Sequence, residues 1–593
     1  TCRALKPFVA LQGESYLGVG THLKYYINEG GGYNDITPIR ETTAAGAVTF
    51  AAVNGSSTLT ITDSNHGASE NDFVTFSGAA SLGGVITAAV LNQEYQVSRI
   101  VSANSFEVVA REVASLNDIT IDGQYTPTPV VANGSDTGNG GGSIVGKYQI
   151  TVGLDTTVSG AGWGAGTWSR GTWGSAANLT AVGDTLRIWS HDNFGEDLII
   201  NVRNGGIYYW DKSTSSAPFA PAVALSDLAG ADPTTPTIAK QVMISDRDRH
   251  VIVFGCDAQD NIGVQDPLLI RFSDQENPLV WSAQATNTAG DLRIGTGSEI
   301  ITAVETRQQI LVFTDKSLHA MQYLGPPFTF GISMLSENIT IASPLAAIAV
   351  DDMVMWMGEQ EFYIYSGQVQ KLPCSVRSYV FNDFNQDQAE KVTAAVNSSY
   401  SEIWWFYPSA TVTNGLMNQN IDKYVVYNYQ EKVWYYGNLA RSAWIDRGIG
   451  QYPIAASLDG YLYYHEFGND DGSVNPPAGI TSYIESSQMS LGAGDNFVLL
   501  SKLIPDVTFD GSSSPSPNVD FTFQTRRFPG SAYDQTTVSD IIRSSTVPVE
   551  QFTDQVRLRM RGRSFALKIE SDNTGVEWRL GTPRVELRPD GRR

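Results

Sequence analysis

A loosely repeated unit occupies most of the chain, from Asp184 to about Asn475. Each unit contains an apolar strand, a turn with Gly, Asp or Asn, and an aromatic-rich strand, as in 353–357 followed by 362–365. The units recur at roughly 40 to 55 residues, which is the length of one four-stranded blade of a β-propeller. About six such units fit. The pattern therefore predicts an all-β fold containing a roughly six-bladed β-propeller.

The segments on either side of the repeat are also rich in short strands. Residues 15–40 are predicted to form a hairpin that supplies strands to one blade. Strands of period two, separated by close turns, predict a small β domain inserted after it. The predicted domains are 1–43 (first propeller strands), 44–145 (inserted β domain), 146–475 (β-propeller) and 476–593 (C-terminal β domain closing onto the propeller).

Acidic residues outnumber basic ones, 62 to 39, and the formal net charge is −23. Such a chain is a poor candidate for wrapping nucleic acid, because phosphate binding needs clustered cations. The segment 476–593 contains 14 basic and 14 acidic residues, so the whole excess lies in 1–475. An acidic wall could line a channel along which DNA slides without sticking. Ordinary solubility is the simpler interpretation of the charge alone.

The three cysteines, Cys2, Cys256 and Cys374, lie far apart in the sequence. Their spacing predicts neither a disulfide framework nor a zinc site, which fits assembly in a reducing cytoplasm. No run of residues is long and apolar enough to cross a membrane, and no signal peptide is visible. Because Thr1 is not an initiator Met, we expect the gene product to have residues before it or to be cleaved there.

No sequence motif of a catalytic site stands out. The segment 141–147 has the glycine and lysine spacing of a P-loop, but Tyr148 stands where a Mg²⁺-binding Ser or Thr is required. A predicted strand follows it, so no helix N-terminus would face the phosphates. The six histidines share no local motif. We predict a protein that is not an enzyme, with no catalytic residues, metal or cofactor. Catalytic carboxylate pairs cannot be recognised from spacing, so a glycosidase stays open.

Four arginines at period two stand out in the C-terminal domain: Arg557, Arg559, Arg561 and Arg563. In a β-strand alternate side chains share one face, so these four would form one row. They are candidates for contact with an acidic neighbouring subunit or with DNA phosphates in a channel. A solvated strand face stabilised by acids of its own domain is equally open as an interpretation.

Three tryptophans spaced by five, Trp163, Trp168 and Trp173, lie in the glycine-rich segment 162–174. Neither helical nor strand periodicity fits this spacing, so we predict a loop. Buried tryptophan usually serves a core or an interface. We therefore interpret the three as packing anchors rather than as a ligand site.

Four stretches of the chain carry a resemblance to a known family. They are 22–27 (HLKYYI) with 35–40 (DITPIR), 66–78, the Gly/Trp loop 162–174, and the run from 561–563 (RGR) through 578–581 (WRLG) to 589–593 (PDGRR). In order and number, over nearly the whole chain, they resemble the tail nozzle proteins of short-tailed phages, also called packaged-DNA stabilisation proteins.

The resemblance implies a six-bladed propeller with an inserted β domain and a further β domain. It also implies a hexameric ring of this chain at the distal end of the tail channel, retaining the genome and passing it at ejection. The implied partners are other copies of the chain, the tail adaptor protein, a tail fibre or needle and, transiently, genomic DNA. The implied location is the virion tail, after assembly in the host cytoplasm.

Two other functions stay open. A receptor- or glycan-binding propeller of the virion would bind glycan as an isolated protein and need no ring. A glycan hydrolase built on a propeller would need convergent carboxylates in the central cavity. The inserted and C-terminal domains favour the nozzle, because they suit assembly contacts.

Overall fold

The computed structural model describes residues 1–113, 128–157, 186–213, 219–413, 415–490, 494–528 and 544–591. The chain divides into two compact units, Thr1–Leu462 and Tyr463–Arg593. Both consist of small antiparallel sheets, so the predicted all-β class is confirmed. The helices of the described residues are short, and none is long and apolar enough to span a membrane. They are α1 (Ala88–Leu91), α2 (Arg377–Asp383) and the 3₁₀ turns Leu225–Asp227 and Gln386–Lys391.

The first sheet is complete in itself. Its strands are β1 (Cys2–Val9), β2 (Ser15–Thr21), β3 (Tyr25–Glu29) and β4 (Gly32–Asp35), paired in that order. The sequence predicted that 15–40 would supply only part of a blade. Lys6 and Pro7 interrupt the apolar residues of β1, so this strand is not evident from the sequence. With β1 the first sheet is complete, and the first unit has seven small sheets. The sequence predicted roughly six repeat units.

A seven-stranded sheet with its own core follows. Its strands are β5 (Ile39–Thr42), β6 (Thr49–Ala52), β7 (Thr58–Thr62), β8 (Phe73–Ser77), β9 (Glu94–Ser102), β10 (Ser105–Val109) and β11 (Val145–Gln149). Their order in the sheet is β5-β11-β8-β9-β10-β7-β6. Phe50, Phe76, Phe106 and Tyr148 are buried within it. Because β5 and β11 pair with each other, this sheet begins at Ile39 and ends at Gln149. The range predicted from the sequence for the inserted domain is 44–145.

Three four-stranded sheets come next. The second contains β12 (Trp189–Phe194), β13 (Asp197–Val202), β14 (Ile207–Trp210) and β15 (Val223–Ala224). The third contains β16 (Gln241–Ile244), β17 (Val251–Phe254), β20 (Leu269–Phe272) and β21 (Gly290–Arg293), with the hairpin β18 (Asp257–Ala258) and β19 (Asn261–Gln265) between β17 and β20. The fourth contains β22 (Ile300–Glu305), β23 (Ile310–Thr314), β24 (Ser317–Gly325) and β25 (Thr329–Glu337).

Three more sheets complete the series. The fifth contains β26 (Ala347–Val350), β27 (Met353–Met357), β28 (Phe362–Tyr365) and β29 (Val369–Leu372). The sixth contains β30 (Thr393–Asn397), β31 (Glu402–Pro408), β34 (Ile421–Asn428) and β35 (Val433–Asn438), with the hairpin β32 (Val412–Thr413) and β33 (Leu416–Met417). The seventh has three strands, β36 (Ala443–Ile445), β37 (Ile454–Ala456) and β38 (Leu462–Tyr464).

Strand β31 illustrates how a strand of these seven sheets buries side chains on both faces. Successive side chains of a strand point to opposite faces, so an unbroken aromatic run is apolar on both. Ile403 and Trp405 pack into a core shared with the fifth sheet. Trp404 and Phe406 pack on the other face, in a core that includes Trp444 of the seventh sheet. Burying one such side chain contributes about 2 to 3 kcal/mol.

Shared cores link all seven sheets in a cycle. The pairs that share a core between successive sheets are Tyr25 and Trp189, Ile207 and Val242, Ile252 and Val312, Leu311 and Trp356, Met355 and Trp405, and Phe406 and Trp444. Leu5 and Val19 then share a core with Ala443 and Ala456, so the seventh sheet packs against the first.

One cavity of about 300 Å³ is lined by the first strand of each of these seven sheets, and we call it the central cavity. Its lining includes Leu5, Asp192, Gln241, Thr302, Ala347, Thr393 and Ala443. Side chains also connect neighbouring first strands by hydrogen bonds. Gln241 Nε2 donates to the Ala303 carbonyl at 2.8 Å, and Trp444 Nε1 donates to the Val396 carbonyl at 3.0 Å. Hydrogen bonds between first strands therefore join the third sheet to the fourth and the sixth to the seventh, in addition to the shared cores.

The second unit consists of two main sheets around one core. Its strands are β39 (Asp470–Asp471), β40 (Ala478–Gly479), β41 (Ser482–Glu485), β42 (Met489–Ser490), β43 (Val498–Ile504), β44 (Val507–Thr508), β45 (Asn518–Arg526), β46 (Ser544–Glu550), β47 (Val556–Gly562), β48 (Ser564–Ser571), β49 (Arg579–Leu580) and β50 (Arg584–Pro589). One sheet has the order β41-β48-β45-β46 and the other β47-β43-β50. Leu503, Phe521 and Leu558 lie in the core that they share. This unit begins at Tyr463, whereas the sequence predicted 476.

A buried lysine joins the inserted sheet to the first sheet. Lys24 Nζ donates to Asp35 Oδ2 at 2.7 Å and to Glu94 Oε1 at 2.6 Å. Gln149 Nε2 donates to the same two oxygens at 3.0 and 3.2 Å. Burial alone would raise the pKa of the Asp35 carboxyl, but the charge of Lys24 and hydrogen bonds hold it below its usual value. Asp35 is the last residue of β4, and Glu94 is the first residue of β9. The ammonium group of Lys24 therefore holds the inserted sheet against the first sheet.

Replacing this lysine should destabilise the first unit. In Lys24→Met two partly buried carboxylates lose their counter-charge, and we expect a loss of about 2 kcal/mol in the free energy of unfolding. Urea denaturation followed by tryptophan fluorescence measures it. Arg307→Met is the matched control, because Arg307 and its partner Asp351 are both exposed, and it should cost less than about 0.5 kcal/mol. Equal losses in both variants would contradict the role given to Lys24.

Glu305, at the end of β22, makes stability depend on pH. Burial raises the pKa of its carboxyl to about 7, and the charges of Asp246 and Asp192 raise it further, while Lys6 lowers it. The folded state therefore holds a proton that the unfolded chain releases above about pH 4.5. Stability is lost as pH rises through the window from about 4.5 to 7.

Glu305→Gln should remove this dependence. We expect the variant to be more stable than the wild type by about 1 kcal/mol at pH 8, with the difference vanishing near pH 4.5. Thermal denaturation across that range measures it. A difference that stays constant with pH would show that folding leaves the pKa of Glu305 unchanged.

Candidate interaction surface

The arginine row lies on β47 and at its end. Arg557, Arg559 and Arg561 are exposed and alternate with the buried Val556 and Leu558. Because alternate residues share a face, these three arginines point away from the core of the second unit. Arg563 follows the strand and is half-buried.

Strand pairing brings further charged residues to the same face. Lys502 of β43 lies between Arg557 and Glu586 of β50, and Leu499 lies between Arg561 and Arg588. Residues directly opposite each other in an antiparallel pair share a face. Arg584, opposite Ile504, is exposed at the start of β50. We call this set the basic sheet face, and it comprises Lys502, Arg557, Arg559, Arg561, Arg584, Glu586, Arg588 and Asp590.

Part of this face is held by local contacts. Arg561 Nε donates to Asp590 Oδ2 at 2.5 Å, and its guanidinium lies 4.3 Å from the ring centre of Phe497. Arg588 pairs with Glu586 on the same strand. Arg563 lies over the same Phe497 ring at 4.9 Å and donates to the Asp495 carbonyl. Arg561 and Arg563 therefore fix the end of β47 onto Phe497.

Within the described ranges the other cations of the face have no close partner, apart from the charge of Lys502 acting on Glu586 across the strand pair. Among the residues that the structure describes, Lys502, Arg557, Arg559 and Arg584 form no ion pair. With two acids against six cations, the face carries a formal charge of +4 on a chain whose net charge is −23. Guanidinium groups bind carboxylate and phosphate through two parallel hydrogen bonds. The face can therefore bind an anionic surface without first breaking an internal ion pair.

Sequence reasoning identified one strand of this surface and missed the other two. The pattern Arg584, Glu586, Arg588 has the same period of two and could have been noticed in the sequence. Lys502 has no such signal, because it is the single cation of β43 and only strand pairing places it beside Arg557.

The remaining sequence candidates lie elsewhere. Trp163, Trp168 and Trp173 fall outside the described residues. Gly146 and Lys147, from the P-loop-like segment, lie within strand β11.

The histidines and cysteines do not gather into one site among the described residues. His66, His191 and His250 each have a local polar neighbour, respectively the Ser102 carbonyl, the Tyr25 hydroxyl and the Ser273 carbonyl. The cysteines are free thiols. Within the described ranges no group of three or more His, Cys, Asp or Glu side chains is placed to hold a metal ion.

Comparisons with known proteins identify no family. The sequence matches no family model and no curated protein. Among solved structures the chain is similar to the phage phi92 endosialidase, at 9% identity and a TM-score of 0.21. The match covers 80% of this chain and 64% of that structure, so the chain spans less than two thirds of its length. With likeness this low, function must be argued from the chain's own residues.

Removing the unpaired arginines should leave the second unit stable, whereas removing Arg561 should not. We expect Arg557→Ala with Arg559→Ala to change the free energy of unfolding by less than about 0.5 kcal/mol, because both side chains are exposed. Arg561→Ala loses an ion pair and a cation–π contact, and should cost about 1 kcal/mol. Chemical denaturation, followed by the fluorescence of Trp578, measures both. A larger loss in the double variant would show that the two arginines have structural partners.

Proposed function

We propose that this chain is a structural protein of a phage tail, a nozzle that rings and closes the distal DNA channel, retains the genome and passes it at ejection. The observation that carries the proposal is the basic sheet face on an otherwise acidic chain. A basic face together with an acidic excess elsewhere in the chain favours head-to-tail association of copies, and such contacts generate rings when the rotation closes. The order of stretches that resembles the nozzle family supports the same function.

The proposal includes a β-propeller of seven blades within the first unit. It is supported by the cyclic order of shared cores, in which the seventh sheet packs against the first. The cavity lined by the first strand of every sheet also supports it, because first strands surround the central channel of a propeller. The inserted sheet and the second unit then supply contacts with the adaptor and with a fibre or needle.

The charge distribution suits a channel for DNA. The acidic excess lies in residues 1–475. In a hexamer the acids that face the lumen would repel phosphates, so DNA would meet little adhesion on its way out. The basic sheet face would bind a neighbouring acidic surface instead. In this proposal the chain works by assembly and electrostatics, and it is not an enzyme.

One observation favours the alternative, a receptor- or glycan-binding protein of the virion. Tyr379 and Tyr436 stack with ring centres 4.0 Å apart, and both are exposed. Exposed aromatic faces are suited to stacking on the apolar face of a ligand. The two functions differ in what the virion loses when the chain is absent.

Particles assembled without this chain should lose their packaged DNA. Genome retention is measured as DNA protected from nuclease in purified particles. Particles that keep their DNA but fail to bind cells would overturn the nozzle and favour the receptor-binding alternative.

A charge-reversal pair tests the basic sheet face in the same assay. Arg557→Glu with Arg559→Glu should reduce incorporation of the chain into particles at least about tenfold, because two attractive contacts become repulsive. Arg293→Glu with Arg307→Glu makes the same change of charge on exposed arginines of the first unit that are already paired. This control should assemble normally. Equal incorporation of both pairs would remove the face from the assembly contact.

A further inference from the structure

Cationic side chains are buried around the central cavity. Arg3 of the first sheet, Arg203 between β13 and β14 of the second, and Lys240 just before the third line this cavity. Arg3 is 4% exposed and Lys240 is 6% exposed, while Arg203 is half-buried. Lys391, 2% exposed, lies close enough to Arg3 for the two charges to repel. The lining of the central cavity therefore includes three cationic side chains and one carboxylate, that of Asp192, on a chain that is acidic as a whole.

Carboxylates compensate only part of this charge. Arg3 Nη2 pairs with Asp155 Oδ1 at 3.0 Å, and Lys240 pairs with Glu299. The two acids are 37% and 43% exposed, so they are better solvated than the cations that they face.

Arg203 and Lys391 form no ion pair with any described residue. The hydrogen bond of the Arg203 side chain goes from Nη1 to the Ile301 carbonyl at 2.8 Å. Lys391 Nζ donates to the Gln419 carbonyl at 2.6 Å and to Asn420 Oδ1 at 3.1 Å. Neutral oxygen atoms satisfy donors but do not neutralise a charge. Among the described residues these two cations therefore have no carboxylate in ion-pair contact, although the charges of Glu299 and Glu390 act on Arg203 and that of Asp155 acts on Lys391.

The lowered pKa values of these cations show that burying their charge is unfavourable. Burial lowers the pKa of Arg203, Arg3 and Lys240 below their usual values. Burial, followed by the charge of Arg3, lowers the pKa of Lys391 to about 8. Uncompensated buried charge is costly, and an anion in contact with it would relieve that cost.

We propose that the central cavity binds a small oxyanion of the phosphate class, held chiefly by Arg203 and Lys240. Arg203 uses one nitrogen on Ile301, so its remaining donors can form the paired hydrogen bonds that guanidinium makes with phosphate. A volume of about 300 Å³ holds a phosphate with several waters. The phosphate is either free inorganic phosphate or a phosphate group of a nucleic acid. The site is independent of any role in a tail.

The test is calorimetric titration of the full chain with sodium phosphate, against sodium chloride of equal ionic strength. We expect saturable binding of one phosphate per chain and a rise in melting temperature that chloride does not produce. Arg203→Gln should weaken binding at least about tenfold, the loss expected for a charged bidentate contact. Arg293→Gln, on an exposed arginine paired with Asp266, removes the same charge elsewhere and should bind phosphate like the wild type.

No saturable binding by the wild type, or equal binding by Arg203→Gln, would overturn the proposal. Circular dichroism establishes first that the variant is folded. If it is not, Arg203→Lys keeps the charge but loses the planar fork, and should bind phosphate more weakly than the wild type. Equal affinity of this variant would exclude the bidentate contact.

A short single-stranded DNA oligonucleotide distinguishes the two sources of phosphate. Displacement of bound phosphate by the oligonucleotide assigns the site to nucleic acid. Phosphate binding that the oligonucleotide leaves unchanged assigns it to free phosphate.

Discussion

The packing of sheet against sheet is the constraint on which the first unit depends. A small four-stranded sheet cannot bury its own apolar faces, so each face needs a neighbour. The contact of Leu5 and Val19 with Ala443 and Ala456 matters most, because it covers the outer faces of the first and seventh sheets together. Without it, two apolar faces at the ends of the series would be left to water. The N-terminal strands and the last sheet of the unit therefore stabilise each other across more than 400 residues of sequence.

The same packing decides where charge can lie. The cores that the sheets share are apolar, and Lys24 and Arg203 lie outside them. Lys24 is buried where the inserted sheet meets the first sheet, and there it has two carboxylates. Arg203, beside the central cavity, forms no ion pair with a described residue, although the charges of Glu299 and Glu390 act on it. Lys24 thus holds two sheets together, whereas Arg203 borders a cavity.

The second unit places charge differently. Its two sheets need only one face each for their common core, so the outer face of β47-β43-β50 is free to carry charge. The arginines of β47 are recognisable in the sequence because the alternation of charged and apolar residues has the period of a strand. Whether they form a row with other cations depends on the register with β43 and β50, which no local pattern reports.

The sequence by itself determined the strands that form unbroken apolar or aromatic runs. The runs 353–357 and 362–365 were predicted from apolar and aromatic composition, and β27 and β28 have these same bounds. It also determined the all-β class, since turn residues follow each run. The β1 strand was not predicted, because charged residues and Pro7 interrupt its apolar residues. Only its pairing with β2 shows that it is a strand.

The tertiary structure decided the number of sheets and which of them share a core. It also placed Lys502 beside Arg557, and Arg203 with Lys240 at one cavity. Local periodicity reports which face of a strand is apolar. It cannot report which distant strand covers that face, because that choice is made by packing between segments far apart in the chain.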